Sequence, residues 1–512
     1  MSQQTSASTK KRRLPGKGTK KVRRLFSIMR NVTETSEVTN MIILTRLSFL
    51  MFLAVLGVIA VTAVTMHEQT IPTQSPEYQN IAVSDLESTN TRGTIFDCNG
   101  VVLARSYLDE QGGQKRDYPY PEAFSHLLGT TYGTSFGNHG IEAYYHSDLV
   151  GSRKDNIRKS EGDSVYSTVN ADIQQAIYSA AASIDEGGVV VTDCNTGAVI
   201  AMVSFPTYDL TVSAEEANAL YLTSEYVNKC MRQLTPGSVF KLLSACVLID
   251  NDCTDEMYDT GVAEFEDGVE PIRNYESGEN GQCDVVRAIE RSSNVWFSTS
   301  VWNLCNRGGS FSAGTYIAGL QKLGMNDKII TQLGTLHQDH NMSHADKNEV
   351  LQSSFGQGGL MVTPLYMNCL VSAIATDGTM YTPYFVSKTV SPKGKTVKET
   401  EPIALEHSVS EAAREEVRKG MIAASDKTYG LTYKGQFGEI YAKTGTAEII
   451  KEGENERNNK WITMAFPVSD PQFAVTAVDI SGGGMSSELF GVAQSVIDIL
   501  ADYIEVPELP EE

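Results

Sequence analysis

Thr235-Pro236-Gly237-Ser238-Val239-Phe240-Lys241, followed by the largely apolar run Leu242 to Ile249, is the stretch on which the reading of this 512-residue chain turns. The Pro-Gly pair breaks the chain and the residues after it favour a helix, so Ser238 falls at or near that helix's first turn. Ser238 and Lys241 are three apart and share a helix face, where hydroxyl and amine can meet. A serine hydroxyl is a weak nucleophile until a base takes its proton, and a helix N-terminus favours the negative charge that follows. The pattern alone is common: Ser8-Thr9-Lys10-Lys11 repeats it in the N-terminal tail, with no chemistry attached.

Two further motifs lie downstream. Ser292-Ser293-Asn294 comes 54 residues after Ser238 and follows the helical stretch Asp284 to Arg291, and Lys443-Thr444-Gly445-Thr446 comes 151 residues after Ser292. Ser-x-Asn recurs as Ser88-Thr89-Asn90, whereas Lys-Thr-Gly occurs once. A glycine on a strand removes a side chain where a substrate backbone could approach, and Lys with two Thr offers a cation and hydroxyls to an anion. Around these motifs, Ser164 to Thr168 and Gly188 to Asp193 read as strands. A turn at Asn195-Thr196-Gly197 leads back through Ala198 to Ser204, and Ala171 to Ser183 has helical spacing. Glu439 to Ile449, Trp461 to Pro467 and Gln472 to Ile480 read as three more strands, and Ser487 to Ile504 as an amphipathic closing helix. Strands at the two ends, with mainly helical sequence between, predict an α+β unit over 161–506: a five-stranded antiparallel sheet flanked by helices.

The formal charge of −21 hides a division. Residues 1–46 carry eleven Lys or Arg against Glu34 and Glu37, a net of +9, which leaves −30 for the remainder. Between the two lies Leu47 to Met66, twenty residues without a charge, about the length that spans a hydrocarbon core. The basic flank assigns the N-terminus to the cytoplasm by the positive-inside rule. The expected organisation is therefore a cytoplasmic tail (1–46), a single transmembrane signal anchor (47–66), and everything beyond outside the membrane. The basic tail is read as an orientation signal and a match for anionic lipid, with no nucleic-acid role. Residues 67–160 hold short β-type runs and Gly-rich turns without a clustered acid/base pair, and read as a small pedestal; 507–512 form an acidic tail. The eight cysteines make neither a CxxC pair nor a metal set; Cys194, Cys246 and Cys369 read as core, and a Cys253–Cys283 bridge stays open.

The conjunction of the three motifs is far more specific than any one of them. Pro236 to Lys241, Ser292-Ser293-Asn294 and Lys443-Thr444-Gly445-Thr446-Ala447 resemble, in order, the active-site motifs of penicillin-binding transpeptidases and serine β-lactamases. Gly356-Gln357-Gly358 with Val362-Thr363-Pro364 resembles the family's Gly-Gln-Gly segment. Arg92-Gly93-Thr94-Ile95-Phe96-Asp97 with Asn99-Gly100 resembles the pedestal signature, also called the dimerisation domain, of class B penicillin-binding proteins. Departures are Cys98, Asn170 and Asn459-Lys460-Trp461, where the family usually has Arg, Asp and a small residue before the Trp.

This resemblance implies a monofunctional peptidoglycan D,D-transpeptidase acting on stem peptides ending in D-Ala-D-Ala and acylated by β-lactams, with D,D-carboxypeptidase activity on the side. Ser238 is the implied nucleophile and Lys241 its base, neutral through the nearby cation Lys443. Ser292 relays a proton to the leaving amine, and Asn294 holds the peptide amide. Lys443, Thr444 and Thr446, with Gly445 between them, receive the terminal carboxylate. The backbone N–H groups of Ser238 and Thr446 form the oxyanion hole. No metal or organic cofactor is implied. Residues 67–160 are too short for a glycosyltransferase domain, so the resemblance also implies a SEDS-type glycosyltransferase partner in the membrane. A β-lactam sensor or non-catalytic scaffold regulating such a polymerase is the alternative.

Overall fold

Short β runs after Thr91 build the first sheet. In this computed structural model the described residues are 91–504, apart from 112, 132–138, 152–160, 221–222, 276–277, 343–344, 432–438, 451–456 and 481. The predicted cytoplasmic tail, the anchor 47–66, the start of the pedestal and the tail 507–512 lie outside the described residues. Among those described, no helix is long and apolar enough to cross a membrane.

Strand β1 (Ile95–Phe96) pairs antiparallel with β2 (Val102–Leu108), which pairs with β3 (Gln114–Asp117). The other edge of β1 pairs in parallel with β4 (Ser164–Ser167). The sequence grouped β4 with the catalytic unit, but its second neighbour is Val386–Val390, which in turn carries Thr396–Glu399. The result is a six-stranded sheet to which the middle of the catalytic stretch contributes two strands. The expectation of mainly helical sequence there missed them, because Val386-Ser387-Lys388-Thr389-Val390 is only five residues long and its buried positions, Val386 and Thr389, do not follow a two-residue period.

The pedestal motif is structural. Buried Asp97 accepts from the backbone N–H of Asn99 and Val101, both at 2.7 Å, closing the hairpin, and from Ala171 at 3.1 Å. It thereby satisfies a free N–H at the start of helix α1 (Ala171–Ala180). Arg92 and Arg116 both bind the buried Glu142, at 2.7 and 2.8 Å.

The catalytic sheet comprises β5 (Gly187–Asp193), β6 (Val199–Phe205), β7 (Tyr441–Ile450), β8 (Arg457–Phe466) and β9 (Phe473–Asp479). All pairs are antiparallel, in the order β7-β8-β9-β5-β6. The two-residue period of strands divides their side chains between two cores. Val189, Val191, Ile462, Met464, Val475 and Ala477 pack with Ile173 and Ile177 of α1 and with Val496 and Ile497 of the closing helix. Val190, Trp461, Ala465, Ala474 and Val478 face the other way, into a core that includes Tyr366, Leu370 and Ile374. Those three belong to Pro364–Ala375, a helix buried at every position, as expected of one apolar all round. The closing helix is regular over Phe490–Ala501, after a single 3-10 turn at Ser486–Leu489. All eight cysteines are free, Cys253 and Cys283 included.

Candidate active site

The nucleophile turn is held from both sides before its helix begins. Leu234 exchanges backbone hydrogen bonds with Val362, Gly237 N–H donates to the carbonyl of Gly356 at 3.0 Å, and the Thr235 carbonyl accepts from Trp461 Nε1 (3.0 Å) and Asn459 Nδ2 (3.1 Å). Gly237–Phe240 then makes a 3-10 turn that runs into helix α2 (Lys241–Asp250).

Glycines set how closely the segments approach. Gly237 has φ +58, and a Cβ there would lie 2.7 Å from the Thr446 carbonyl. A Cβ on Gly445 would lie 2.8 Å from Pro236 O and Val239 N, and 3.0 Å from Ser238 N. The sequence reading gave the Gly445 vacancy to a substrate backbone. The structure gives it to the nucleophile's own turn, because β7 packs edge-on against it. The same packing brings the backbone of Thr446 against the turn that carries Ser238.

Three distant segments converge on one amine. Lys241 Nζ lies 3.0 Å from Ser238 Oγ, 3.0 Å from Ser292 Oγ, 2.6 Å from the Ser292 carbonyl and 2.7 Å from Asn294 Oδ1. Lys443 Nζ also reaches Ser292 Oγ, at 3.1 Å, and donates to the Thr444 carbonyl at 2.8 Å. Ser292 Oγ thus bridges two lysine amines, both on fully buried side chains. Burial pushes the Lys241 amine well below its ordinary value and the Lys443 charge pushes the same way, against the buried carboxylate of Asp259. The sequence reading named Lys443 as the cause; desolvation is the larger one.

The remaining predicted residues reach the site less directly. Asn294, at the start of helix α3 (Asn294–Asn306), points Oδ1 at Lys241 and donates from Nδ2 to the Arg273 carbonyl at 2.9 Å. Along β7 the alternation puts Lys443 and Gly445 toward the nucleophile turn, and Thr444 and Thr446 on the opposite phase. The Thr446 hydroxyl accepts from Ser486 N–H at 3.1 Å, and Thr444 N–H donates to the Tyr429 hydroxyl at 3.3 Å.

Sequence reasoning missed Asp259, Asn274 and Tyr429. Asp259 begins Asp-Thr-Gly, which reads as an ordinary turn. Asn274 and Tyr429 sit in segments without periodic signal, so only the fold brings them to the motifs. Lys460, one of the departures noted above, is buried between Asp479 and Glu488, each at 2.8 Å, and ties β8 to the segment that follows β9.

Residues 187–495 match the penicillin binding protein transpeptidase domain family. The chain belongs to this family. Among curated relatives of this penicillin-binding transpeptidase, Stage V sporulation protein D of Bacillus subtilis is 27% identical over 449 residues, 81% of this chain and 66% of that protein. The chain thus spans just under two thirds of that relative's length. Peptidoglycan D,D-transpeptidase PbpA of Mycolicibacterium smegmatis is 25% identical over 444 residues, 80% of this chain and 88% of that one. Among solved structures, the D,D-transpeptidase domain of a peptidoglycan glycosyltransferase from Eggerthella lenta superposes with a TM-score of 0.70 at 28% identity, covering 81% of this chain and 99% of that one.

Proposed function

We propose that this chain is a class B penicillin-binding protein: a peptidoglycan D,D-transpeptidase that joins stem peptides through a Ser238 acyl-enzyme and is acylated by β-lactams. The observation that carries the reading is the buried amine of Lys241 in contact with both the Ser238 and Ser292 hydroxyls. A neutral Lys241 takes the Ser238 proton as Oγ bonds to the carbonyl carbon of the penultimate D-Ala. The proton passes through Ser292 to the leaving nitrogen, the C–N bond breaks, and D-Ala departs as the amine. An amine of a second stem peptide then attacks the ester carbonyl carbon and loses a proton to Lys241; the C–O bond breaks, Lys241 returns that proton to Ser238 Oγ, and a new amide, the free Ser238 hydroxyl and a neutral Lys241 remain. Water in place of that amine gives the carboxypeptidase side reaction. Oxyanion-hole donors at Ser238 and Thr446 contribute about 3 kcal/mol each to transition-state stabilisation. Lys443, Thr444 and Thr446 receive the terminal carboxylate along the edge of β7.

Residues 67–160 are assigned the role of a pedestal for the catalytic unit, a reading supported by the pairing of β1 with β4. The run Leu47 to Met66 and its basic flank support a single-pass anchor, with the N-terminus cytoplasmic and the catalytic domain outside. Polymerisation of glycan strands is assigned to a SEDS-type glycosyltransferase in the same membrane, to be sought by co-purification. The chemistry is tested with fluorescent penicillin and a pair of labelled stem peptides. The wild-type chain forms a stable adduct and a cross-linked dimer, and Ser238→Ala abolishes both while keeping its melting temperature. Labelling that survives the substitution excludes Ser238 as the nucleophile.

A further inference from the structure

Ser292 stands at φ +55, a left-handed conformation that non-glycine residues seldom adopt, and yet its hydroxyl must face two lysines. Such a conformation persists where the surroundings over-determine it. The surroundings here lead to one buried carboxylate. Asp259 Oδ2 accepts from Ser293 Oγ at 2.5 Å, and both of its oxygens accept from Asn274 Nδ2 at 2.9 Å. Asn280 Nδ2 (2.8 Å) and Gly261 N–H (2.8 Å) complete the set. With its Nδ2 also donating to the Gly278 carbonyl at 3.0 Å, the Asn274 amide can take only one orientation. That orientation aims Oδ1 at the backbone N–H groups of Asn294 (2.8 Å) and Val295 (3.1 Å), the free donors at the start of α3. Ser293 Oγ accepts from Trp296 N–H at 2.9 Å, capping the same helix.

We infer that Asp259 is a positioning residue for acyl transfer: through Asn274 and Ser293 it fixes the Ser292–Asn294 turn in the strained geometry that presents the Ser292 hydroxyl to Lys241 and Lys443. This rests on the acyl-transfer reading above. The carboxylate touches neither substrate nor nucleophile. It acts on three consecutive residues at once, the serine between the lysines, the cap of α3 and the asparagine against Lys241. It is also a buried negative charge near the Lys241 amine, so it favours the charged form of Lys241. The groups facing the Lys241 amine are Ser238 on its own turn, Ser292 and Asn294 on the turn before α3, the Phe297 ring at 5.9 Å, Lys443 on β7 with the Tyr429 phenol beside it, and Asp259. Among these described groups, only the last is anionic.

The test is the rate of acylation by fluorescent penicillin as a function of pH, with thermal melting in parallel. It uses the full chain as wild type, Asp259→Asn, Asn280→Ala and Ser238→Ala. Asp259→Asn keeps the size of the side chain and removes the charge. Its acylation is expected to fall about 10- to 100-fold, the scale of a misplaced reacting group, and the acid-side midpoint to move to lower pH as Lys241 loses its anion. Asn280→Ala removes one of the donors but leaves the charge, so a several-fold slower rate with an unmoved midpoint is expected. A folded Asp259→Asn that acylates at the wild-type rate with the wild-type midpoint overturns the inference. So does a loss that merely tracks the unfolded fraction with the midpoint unchanged. If Asp259→Asn does not fold, Asn280→Ala decides: a slower folded variant supports the role, and a wild-type rate overturns it. Failure of the wild type to label, or labelling of Ser238→Ala, strikes the acyl-transfer reading instead.

Discussion

Lys241 can act as a base only while uncharged, and the fold achieves this by removing it from water and setting Lys443 against Ser292 as well. Both effects lower its pKa, so acylation should rise with pH as the amine loses its proton and fall on acidification. Lys443→Met removes the second cation and lets Lys241 hold its proton to higher pH. The acid-side midpoint of penicillin acylation should therefore move upward, in addition to any loss of rate from the missing carboxylate receptor. A midpoint that stays put or moves down would show that Lys443 does not tune the base.

At the scale of elements, the site is a packing problem between the edge strand β7 and the 3-10 turn that carries Ser238. Gly445 and Gly237 allow the two backbones to approach, and an added Cβ at Gly445 would meet backbone atoms at 2.8 Å. Backbone cannot swing aside as a long side chain can, so Gly445→Ala must push the turn away from the strand. Acylation is expected to fall about 100-fold while far-ultraviolet circular dichroism and the melting transition stay close to wild type. An alanine variant that acylates at the wild-type rate would mean the glycine is not needed for this approach. On the neighbouring strand, Trp461 and Asn459 hold the Thr235 carbonyl, so β8 fixes where the turn begins.

At the scale of the whole molecule, the six-stranded sheet is closed by strands drawn from both ends of a long stretch of chain, and Glu142 sits beside it between two arginines. Burial alone raises that carboxyl, yet Arg116 and Arg92 hold it below the ordinary glutamate value. A depressed carboxylate contributes stability above its unfolded pKa and loses it as pH falls through the folded one. Glu142→Gln leaves two buried guanidinium groups without their anion, a change that costs about 3–5 kcal/mol. Urea denaturation should show that deficit at neutral pH and a narrower gap in acid. An equal gap at both pH values would remove the electrostatic explanation.

Local pattern was enough for the elements that carry chemistry. The i, i+3 spacing of Ser238 and Lys241, the period-two runs of the five catalytic strands, and the order of three motifs are all properties of neighbouring residues, and the sheet and the family follow from them. The convergence itself was readable only as resemblance, since nothing in a linear string measures the 3.0 Å between Lys241 and Ser292. The strands at Val386–Val390 and Thr396–Glu399, the true occupant of the space at Gly445, and the carboxylate of Asp259 behind the Ser292 turn were decided by tertiary structure. Each depends on contacts between residues tens to hundreds of positions apart, and the residues involved (a short half-exposed strand, a glycine, an Asp-Thr-Gly turn) look ordinary until the fold sets them against their partners.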